Sequence, residues 1–203
     1  MNLDRSSVSV LALAAEAFGG RGGIAQSTQD LMRALALIPQ VGKINILPRL
    51  QPEPYPVLPA GINQFPACSS RIGYSLRALF FAATRRPDIV YCGHAFMAPL
   101  AHLTAWIAGA KLLTHVHGLE VWQPLSAAVR RGIAASDLVL TVSNHTTDKV
   151  AGAAKVDPAR CTVIYNTFNE KFVPADRAQS RARFGIPDAA VVLSTVSRLD
   201  PKQ

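Results

Sequence analysis

Short, almost wholly apolar runs alternate along the chain with segments of helical length. Six of these runs are predicted to be strands: Val8–Ala14, Lys43–Leu47, Asp88–Cys92, Lys111–Val116, Asp137–Val142 and Cys161–Tyr165. Because the runs do not alternate with polar residues, both faces of each strand should be buried, as in a parallel sheet between helices. The clearest helix is predicted over Ile24–Ile38, with one apolar face and Pro39 at its end. This alternation predicts a doubly wound α/β domain.

Two consecutive segments differ from this pattern. The stretch from Pro48 to Pro66 contains six prolines and has neither a helical nor a strand period, so a long irregular loop is predicted. The next segment, "SRIGYSLRALFFAATRR", mixes arginines with aromatic residues. We favour a helix that packs on the core and exposes its arginines to solvent. Contact with an anionic membrane surface is the alternative.

The last part of the chain follows a different pattern again. After Tyr165 the sequence "NTFNEKFVPADRAQSRARFGIPDAA" predicts a linker with a short charged helix around Asp176–Phe184. A final apolar run, Val191–Val196, is predicted to be a strand. We therefore expect a complete domain over residues 1–174, followed over residues 175–203 by a linker and the first strand of a second domain that is mostly absent.

Composition indicates which binding partners and which cellular compartment to expect for the protein. The 203 residues carry a formal net charge of +8, which suggests an anionic partner such as nucleic acid, acidic lipid or a nucleoside diphosphate. Nucleic acid is the least favoured, because the basic residues are scattered and no signature of a nucleic-acid-binding motif is visible. Three widely spaced cysteines predict neither a disulfide framework nor a zinc site, and they favour a reducing cytosol. The apolar run near the N-terminus resembles a secretion signal but is interpreted as the first strand.

The stretch "AFGGRGGIAQ" joins the first predicted strand to the first predicted helix. Open α/β sheets bind ligands at this position, and glycines let backbone amides approach an anion at the helix N-terminus. A phosphate is therefore the expected ligand. Gly20, Gly22 and Ala25 also fit G-x-G-x-x-A, so an NADP-dependent reductase that uses Arg49 remains an alternative. A tight turn without any ligand is another.

Polar residues follow two further predicted strands. In "LLTHVHGLEVW", His115 and His117 lie two residues apart, so their side chains should project to the same face. No third ligand is evident, and no metal is expected. His117 is the better candidate for contacting sugar hydroxyls or steadying developing charge, whereas a structural role suits His115 equally well. In "VLTVSNHTTDKV", Ser143 or Asn144 is predicted to cap a helix. Motifs for covalent hydrolysis and for a phosphate-binding P-loop are absent from the sequence.

In this order, the motifs resemble the N-terminal half of a family-four retaining glycosyltransferase with the two-Rossmann (GT-B) architecture. The matching stretches are "GGIAQSTQDLMRAL", "DIVYCGH", "THVHGLEVW", "DLVLTVSNHTTDKV", "VIYNTFNEKFVP" and "LSTVSRLDPKQ". The resemblance implies a nucleotide-diphosphate sugar as donor, no cofactor and no metal. It also implies a glycan or lipid-linked acceptor held mainly by this domain, with transfer in the cleft to a second domain.

The resemblance also implies roles for individual residues. His117 would contact the donor sugar near the reacting carbon, and Arg198 would offset the charge on the departing diphosphate. Backbone amides of Gly22 and Gly23 would contact the donor phosphate or the acceptor. Further donor- or acceptor-binding residues are Glu120, Ser143, Asn166 and Lys202.

The sequence departs from the family pattern in two places. The C-terminal E-x7-E motif is missing, and "NTFN" stands near Asn166 where the family often has Asn-Gly-Val-Asp at a hinge. We expect the isolated chain to fold without being active. It should be cytoplasmic. Its net charge of +8 also suggests peripheral contact with the cytoplasmic face of the membrane. A non-catalytic module that binds a membrane surface is a further alternative.

Overall fold

The structure is a computed structural model that describes residues 7–55, 57–167 and 172–195. Its strands are β1 (Val8–Ala14), β2 (Val41–Pro48), β3 (Ile62–Gln64), β4 (Ile89–Cys92), β5 (Lys111–Val116), β6 (Leu138–Thr141) and β7 (Cys161–Val163). They form one sheet in the order β3-β2-β1-β4-β5-β6-β7, and every neighbouring pair is parallel. The parallel sheet predicted from the apolar runs is confirmed.

Strand β3 lies inside the proline-rich segment that was predicted to be irregular, so that prediction was wrong over these three residues. A strand this short shows no period in the sequence, and it exists because its backbone pairs with β2 at the sheet edge. A side chain of β3 also fixes this segment to the loop after β1. The Gln64 side chain donates to the Phe18 carbonyl oxygen at 2.8 Å and accepts from the Phe18 N–H at 3.0 Å. The long loop is thus fixed to the loop that follows β1.

Helices cover both faces of the sheet. They are α1 (Gly23–Ala36), α2 (Arg71–Arg85), α3 (Ala98–Ala108), α4 (Ala127–Ala134) and α5 (Asn144–Ala154). A further helix, α6 (Arg177–Arg183), comes later in the chain. Side chains of β1 alternate between two cores. Leu11 and Leu13 pack in a core with α2, α3, α4 and α5, whereas Val10 and Ala12 pack with Met32 of α1. The doubly wound arrangement predicted from the sequence is confirmed.

The strand order reverses between β1 and β4, which are neighbours in the sheet although β2 and β3 separate them in the chain. Ligands of open α/β sheets bind in the crevice at such a switch point, beyond the carboxyl ends of the strands. Here these ends carry the glycine loop after β1, Gly93 and His94 after β4, and His117 after β5. The fold therefore brings the predicted phosphate-binding loop and the predicted histidine to one edge.

The chain divides into two compact units, Met1–Thr167 and Phe168–Gln203, whereas the predicted domains met at residue 174. In the second unit, Asp176 caps α6 by accepting from the Gln179 N–H at 2.7 Å, which confirms the predicted charged helix. The predicted final strand is not formed over residues 191–195, the described part of that run, where Val191 and Leu193 are almost fully exposed. A strand needs a neighbouring backbone to pair with, and none lies beside these residues in the described part of this unit.

Among the helices that the structure describes, none is long and apolar enough to cross a bilayer.

Candidate functional site

The glycine loop leaves the start of α1 open. Gly22 is the N-cap residue with φ of 88° and ψ of 177°, and no described side chain caps the first turn of the helix. Only glycine adopts this backbone conformation without strain. A Cβ added at Gly23 would meet no atom within 4 Å. The first amides of α1 therefore lack a capping side chain, and together with the helix dipole they suit a phosphate group.

The first half of the loop is fixed by contacts with its neighbours. Gly19 has φ of 80°, and a Cβ there would lie 2.2 Å from the Glu53 carbonyl oxygen, so the two backbones approach closely. The Arg21 N–H donates to the Glu16 carboxylate at 2.7 Å, and the Arg21 guanidinium pairs with the Glu53 carboxylate. This ion pair is exposed and adds little stability.

Three histidines lie together at the switch point. The ring centroids of His115 and His117 are 4.1 Å apart, which confirms that both side chains project to the same face. The ring of His94, which follows β4, lies 6.4 Å from that of His117. His94 was not among the predicted site residues, although it follows an apolar strand as His117 does, and this position was a usable signal.

His115 is buried, and its Nδ1 lies 2.9 Å from the Tyr91 hydroxyl oxygen. Its Nε2 has no hydrogen-bond partner among the described residues. Burial, together with the neighbouring His117, lowers the pKa of His115 from 6.5 to about 3. The ring is therefore neutral at physiological pH and has a structural place between Tyr91 and His117.

His117 is held by two contacts. Its backbone N–H donates to the Glu120 carboxylate at 2.6 Å, and its Nε2 lies 3.1 Å from the Gly93 carbonyl oxygen. Because a carbonyl oxygen only accepts, we assign the proton of the neutral ring to Nε2, which leaves Nδ1 as an acceptor. Burial lowers the pKa of His117, while the Gly93 carbonyl and the Glu120 carboxylate partly oppose this and His94 adds to it. A neutral ring with a free lone pair can accept a hydrogen bond from a sugar hydroxyl.

The other predicted site residues have different surroundings. Glu120 is buried in a short 3-10 turn after Gly118, and its carboxylate positions His117 from within the protein. Ser143 caps α5 by accepting from the Thr146 N–H at 3.1 Å, which confirms the predicted cap. Asn166 is exposed beyond β7.

Two other predicted site residues, Arg198 and Lys202, lie outside the described residues. Over the part that is described, no three His, Cys, Asp or Glu side chains are grouped so as to hold a metal ion.

Comparison with known proteins supports the same fold. The family model for Glycosyltransferase Family 4 matches residues 21–172. No curated protein matches the chain. The apo form of the lipopolysaccharide outer core galactosyltransferase WaaB has a TM-score of 0.56 at 16% identity, covering 84% of this chain and 50% of that chain. Anabaena Alr3699/HepE, solved with UDP and glucose, has a TM-score of 0.55 at 16% identity, covering 88% and 50%.

A glycosyltransferase from Rickettsia africae is similar at a TM-score of 0.51 and 15% identity, covering 90% of this chain and 51% of that chain. The chain thus spans about half the length of these solved structures, and likeness at such low identity establishes the fold. The predicted resemblance to the N-terminal domain of the GT-B fold is confirmed. Since the family model covers most of the sequence, from the second half of the glycine loop through the three histidines, the chain belongs to Glycosyltransferase Family 4.

Proposed function

We propose that this chain forms the acceptor-side domain of an enzyme that transfers a sugar from a nucleoside-diphosphate sugar to a glycan or lipid-linked acceptor. The observation that carries the proposal is the position of His117. Its neutral ring contacts the Gly93 carbonyl oxygen and its backbone N–H donates to Glu120, at the same sheet edge as the uncapped start of α1. The HepE protein of Anabaena has been solved with UDP-glucose and with UDP, which supports a donor of this class.

Each group has a defined part in the proposed transfer. The bond between the anomeric carbon and the diphosphate oxygen breaks, the acceptor oxygen bonds to that carbon, and the acceptor proton leaves with the diphosphate. His117 Nδ1 accepts a hydrogen bond from a sugar hydroxyl and so orients the anomeric carbon. Amides of Gly22 and Gly23 offset negative charge on the donor phosphates or the acceptor. Arg198 and Lys202 are proposed to offset the rest, without a metal, and retention of configuration is part of the proposal.

The family match favours glycosyl transfer over the reductase alternative. The reductase alternative relied on Arg49 to bind NADP, but Arg49 makes contacts within the protein. Its Nη2 donates to the Ser69 carbonyl oxygen at 2.7 Å, and its guanidinium lies 6.0 Å from the centre of the Tyr74 ring. These contacts direct the side chain toward the start of α2.

The outward face of α2 supports peripheral binding to a membrane. Ile72, Leu76 and Phe80 follow one another at four-residue spacing and are 75%, 64% and 70% exposed. On the neighbouring helix α3, Trp106 is 75% exposed. As predicted, α2 packs on the core and exposes arginines to solvent, but its solvent side also carries these three large apolar side chains. Exposed apolar faces of this kind mark surfaces that bind lipid or another macromolecule.

Arginines flank this face, since Arg71 and Arg85 are exposed at the two ends of α2 and Arg86 follows the helix. No acidic residue lies within the helix. We therefore propose that the enzyme is cytoplasmic and docks through α2 on the anionic face of the cytoplasmic membrane. The three free cysteines agree with a reducing compartment.

Sedimentation with vesicles tests the docking. Vesicles that contain anionic lipid should bind the chain, and binding should weaken as salt rises. Phe80→Ser should reduce the bound fraction, whereas Leu37→Ser should not, because Leu37 is exposed at the end of α1 on the other face of the sheet. Equal binding by both variants would exclude α2 as the docking surface.

Release of the nucleoside diphosphate tests the transfer itself. Protein produced from the complete reading frame should release nucleotide from one class of donor, and only when an acceptor is present. Residues 1–203 alone should release none, because we assign most donor contacts to a second domain. Sugar transfer by residues 1–203 alone would contradict the acceptor-side assignment.

A further inference from the structure

A cavity of about 520 Å³ opens at the carboxyl end of β2. It lies between the first turns of α2 and the 3-10 turn Ala95–Met97 that follows β4. A space of this size is typical of small-molecule sites. Its lining divides into a polar part, with Arg49, Arg71 and Ser75, and a nonpolar part, with Tyr74, Phe96 and Leu100. Two guanidinium groups and no carboxylate line the cavity, so it suits an anion.

The Arg49 side chain is held in place by two contacts. One of its terminal nitrogens donates to the Ser69 carbonyl oxygen, and its guanidinium faces the Tyr74 ring. Tyr74 is itself fixed, because its hydroxyl donates to the Leu47 carbonyl oxygen at 2.8 Å. Arg49 Nε is buried and has no hydrogen-bond partner among the described residues. Arg49 also lines the cavity, so its fixed positive charge favours an anion there.

Arg71 faces the same space from the first turn of α2, where it is exposed to solvent. The fork geometry of a guanidinium matches phosphate and carboxylate oxygens, and a phosphate offers enough oxygens and charge for two such groups. The pair of arginines therefore favours a phosphate over a single carboxylate.

The cavity lies between the exposed apolar face of α2 and the histidines at the switch point. Toward solvent, Arg71 and Ser75 are followed in the chain by Ile72 and Leu76 on the exposed apolar face of α2. Toward the switch point, the Phe96 ring lies 5.2 Å from the His94 ring, the neighbour of His117. A ligand whose phosphate sits in the cavity could thus place hydrocarbon along α2 and a reacting group near the histidines.

We propose that this cavity binds the phosphate group of an amphiphilic acceptor, with Arg49 and Arg71 as donors and with Phe96 and Leu100 in contact with its hydrocarbon. The word acceptor rests on the proposed function, whereas the binding of a phosphate amphiphile does not. Both arginines contribute to affinity for the phosphate. Arg71 does so from its exposed position at the opening of the cavity, and Arg49 from its partly buried position in the lining.

Calorimetric titration of the 203-residue chain with decyl phosphate, below its micelle concentration, tests this site. Decyl phosphate should bind, while decyl glucoside, which has the same chain without the charge, should bind at least tenfold more weakly. Inorganic phosphate distinguishes a free anion from an amphiphile, and it should also bind at least tenfold more weakly than decyl phosphate. Inorganic phosphate that binds as tightly as decyl phosphate would overturn the amphiphilic assignment.

Arg71→Gln should weaken the binding of decyl phosphate by about tenfold, because it removes a charge-assisted hydrogen bond. The side chain is exposed, so this variant should fold, and circular dichroism will verify it. Arg130→Gln is the matched control, since it removes the same charge from an exposed position of α4 that does not line the cavity. Equal affinity of Arg71→Gln and the wild type, or equal losses in the two variants, would overturn the site.

The outcome can be separated from that of the proposed function. The titration contains no nucleotide sugar, so a failed transfer assay leaves the binding result intact and removes only the word acceptor. If transfer to a lipid phosphate occurs and is unchanged by Arg71→Gln, the inference about this cavity is wrong while the proposed function stands.

Discussion

His115 should make the stability of the folded chain depend on pH in a range where few other groups act. In the folded state, burial lowers the pKa of its ring from 6.5 to about 3. The unfolded chain therefore binds a proton on this residue between these two values, and the folded chain does not. Stability rises with pH wherever the unfolded state holds more protons. The contribution of His115 is present above pH 6.5 and is lost as the pH falls toward 3.

The size of the loss follows from the shift. For a group whose pKa drops from 6.5 to about 3 on folding, lowering the pH from 7 to 5 costs about 2 kcal/mol of unfolding free energy. The pKa of His117 is also lowered, which adds a loss of the same sign. Asp88 and Asp137 have pKa values below their ordinary 3.8, so they act mainly at lower pH.

Urea unfolding of His115→Asn and of the wild type at pH 7 and pH 5 measures this contribution. Asparagine places a hydrogen-bonding group near the position of Nδ1, opposite Tyr91, but it does not titrate. Any cost of the smaller side chain applies at both pH values and cancels in the comparison. The wild type should lose about 2 kcal/mol more than the variant between the two pH values. His102→Asn is the control, because His102 is exposed on α3, and it should behave as the wild type. If His115→Asn and the wild type lose the same free energy, the described burial of this ring is wrong.

Three further predictions concern packing and reactivity. Gly132→Ala should lower the free energy of unfolding by about 1–3 kcal/mol, because its Cβ would lie 2.5 Å from the Ala98 carbonyl carbon. Gly152→Ala, which meets no atom within 4 Å, should cause no loss, and urea unfolding of both variants decides between these outcomes. Gly22→Ala should destabilise by about 1–3 kcal/mol because φ is 88° there, and an unchanged melting temperature would contradict this. Burial raises the pKa of Cys92 to about 12, so mass spectrometry should find this thiol unreactive to iodoacetamide until the chain unfolds.

The strands of the central sheet were predictable because burial on both faces leaves a continuous apolar run. For β1 the predicted and observed limits, Val8–Ala14, agree at both ends. Strand β3 could not be predicted, since three edge residues in a proline-rich loop carry no period of their own. The apolar run from Val191 was predicted from its composition alone, and its described part has no neighbouring strand with which to pair.

The candidate site was predictable as far as it depends on chain order. Strand ends of a parallel sheet meet at one edge, so the glycine loop and His117 could be placed together from the sequence. Contacts between distant segments could not be derived in this way. The hydrogen bond between the His117 N–H and Glu120, the neighbouring ring of His94, and the cavity between Arg49 and Arg71 all depend on how loops close in three dimensions.

The central claim is that His117 contacts the donor sugar during glycosyl transfer. Its most direct test compares the turnover of His117→Ala with that of the wild type in the nucleotide-release assay, using protein from the complete reading frame. His102→Ala is the control on an exposed histidine. His117→Ala should lower turnover by about 10²-fold, as expected when one positioned hydrogen bond to the reacting sugar is lost, and His102→Ala should have no effect. Turnover of His117→Ala equal to that of the wild type would contradict the claim.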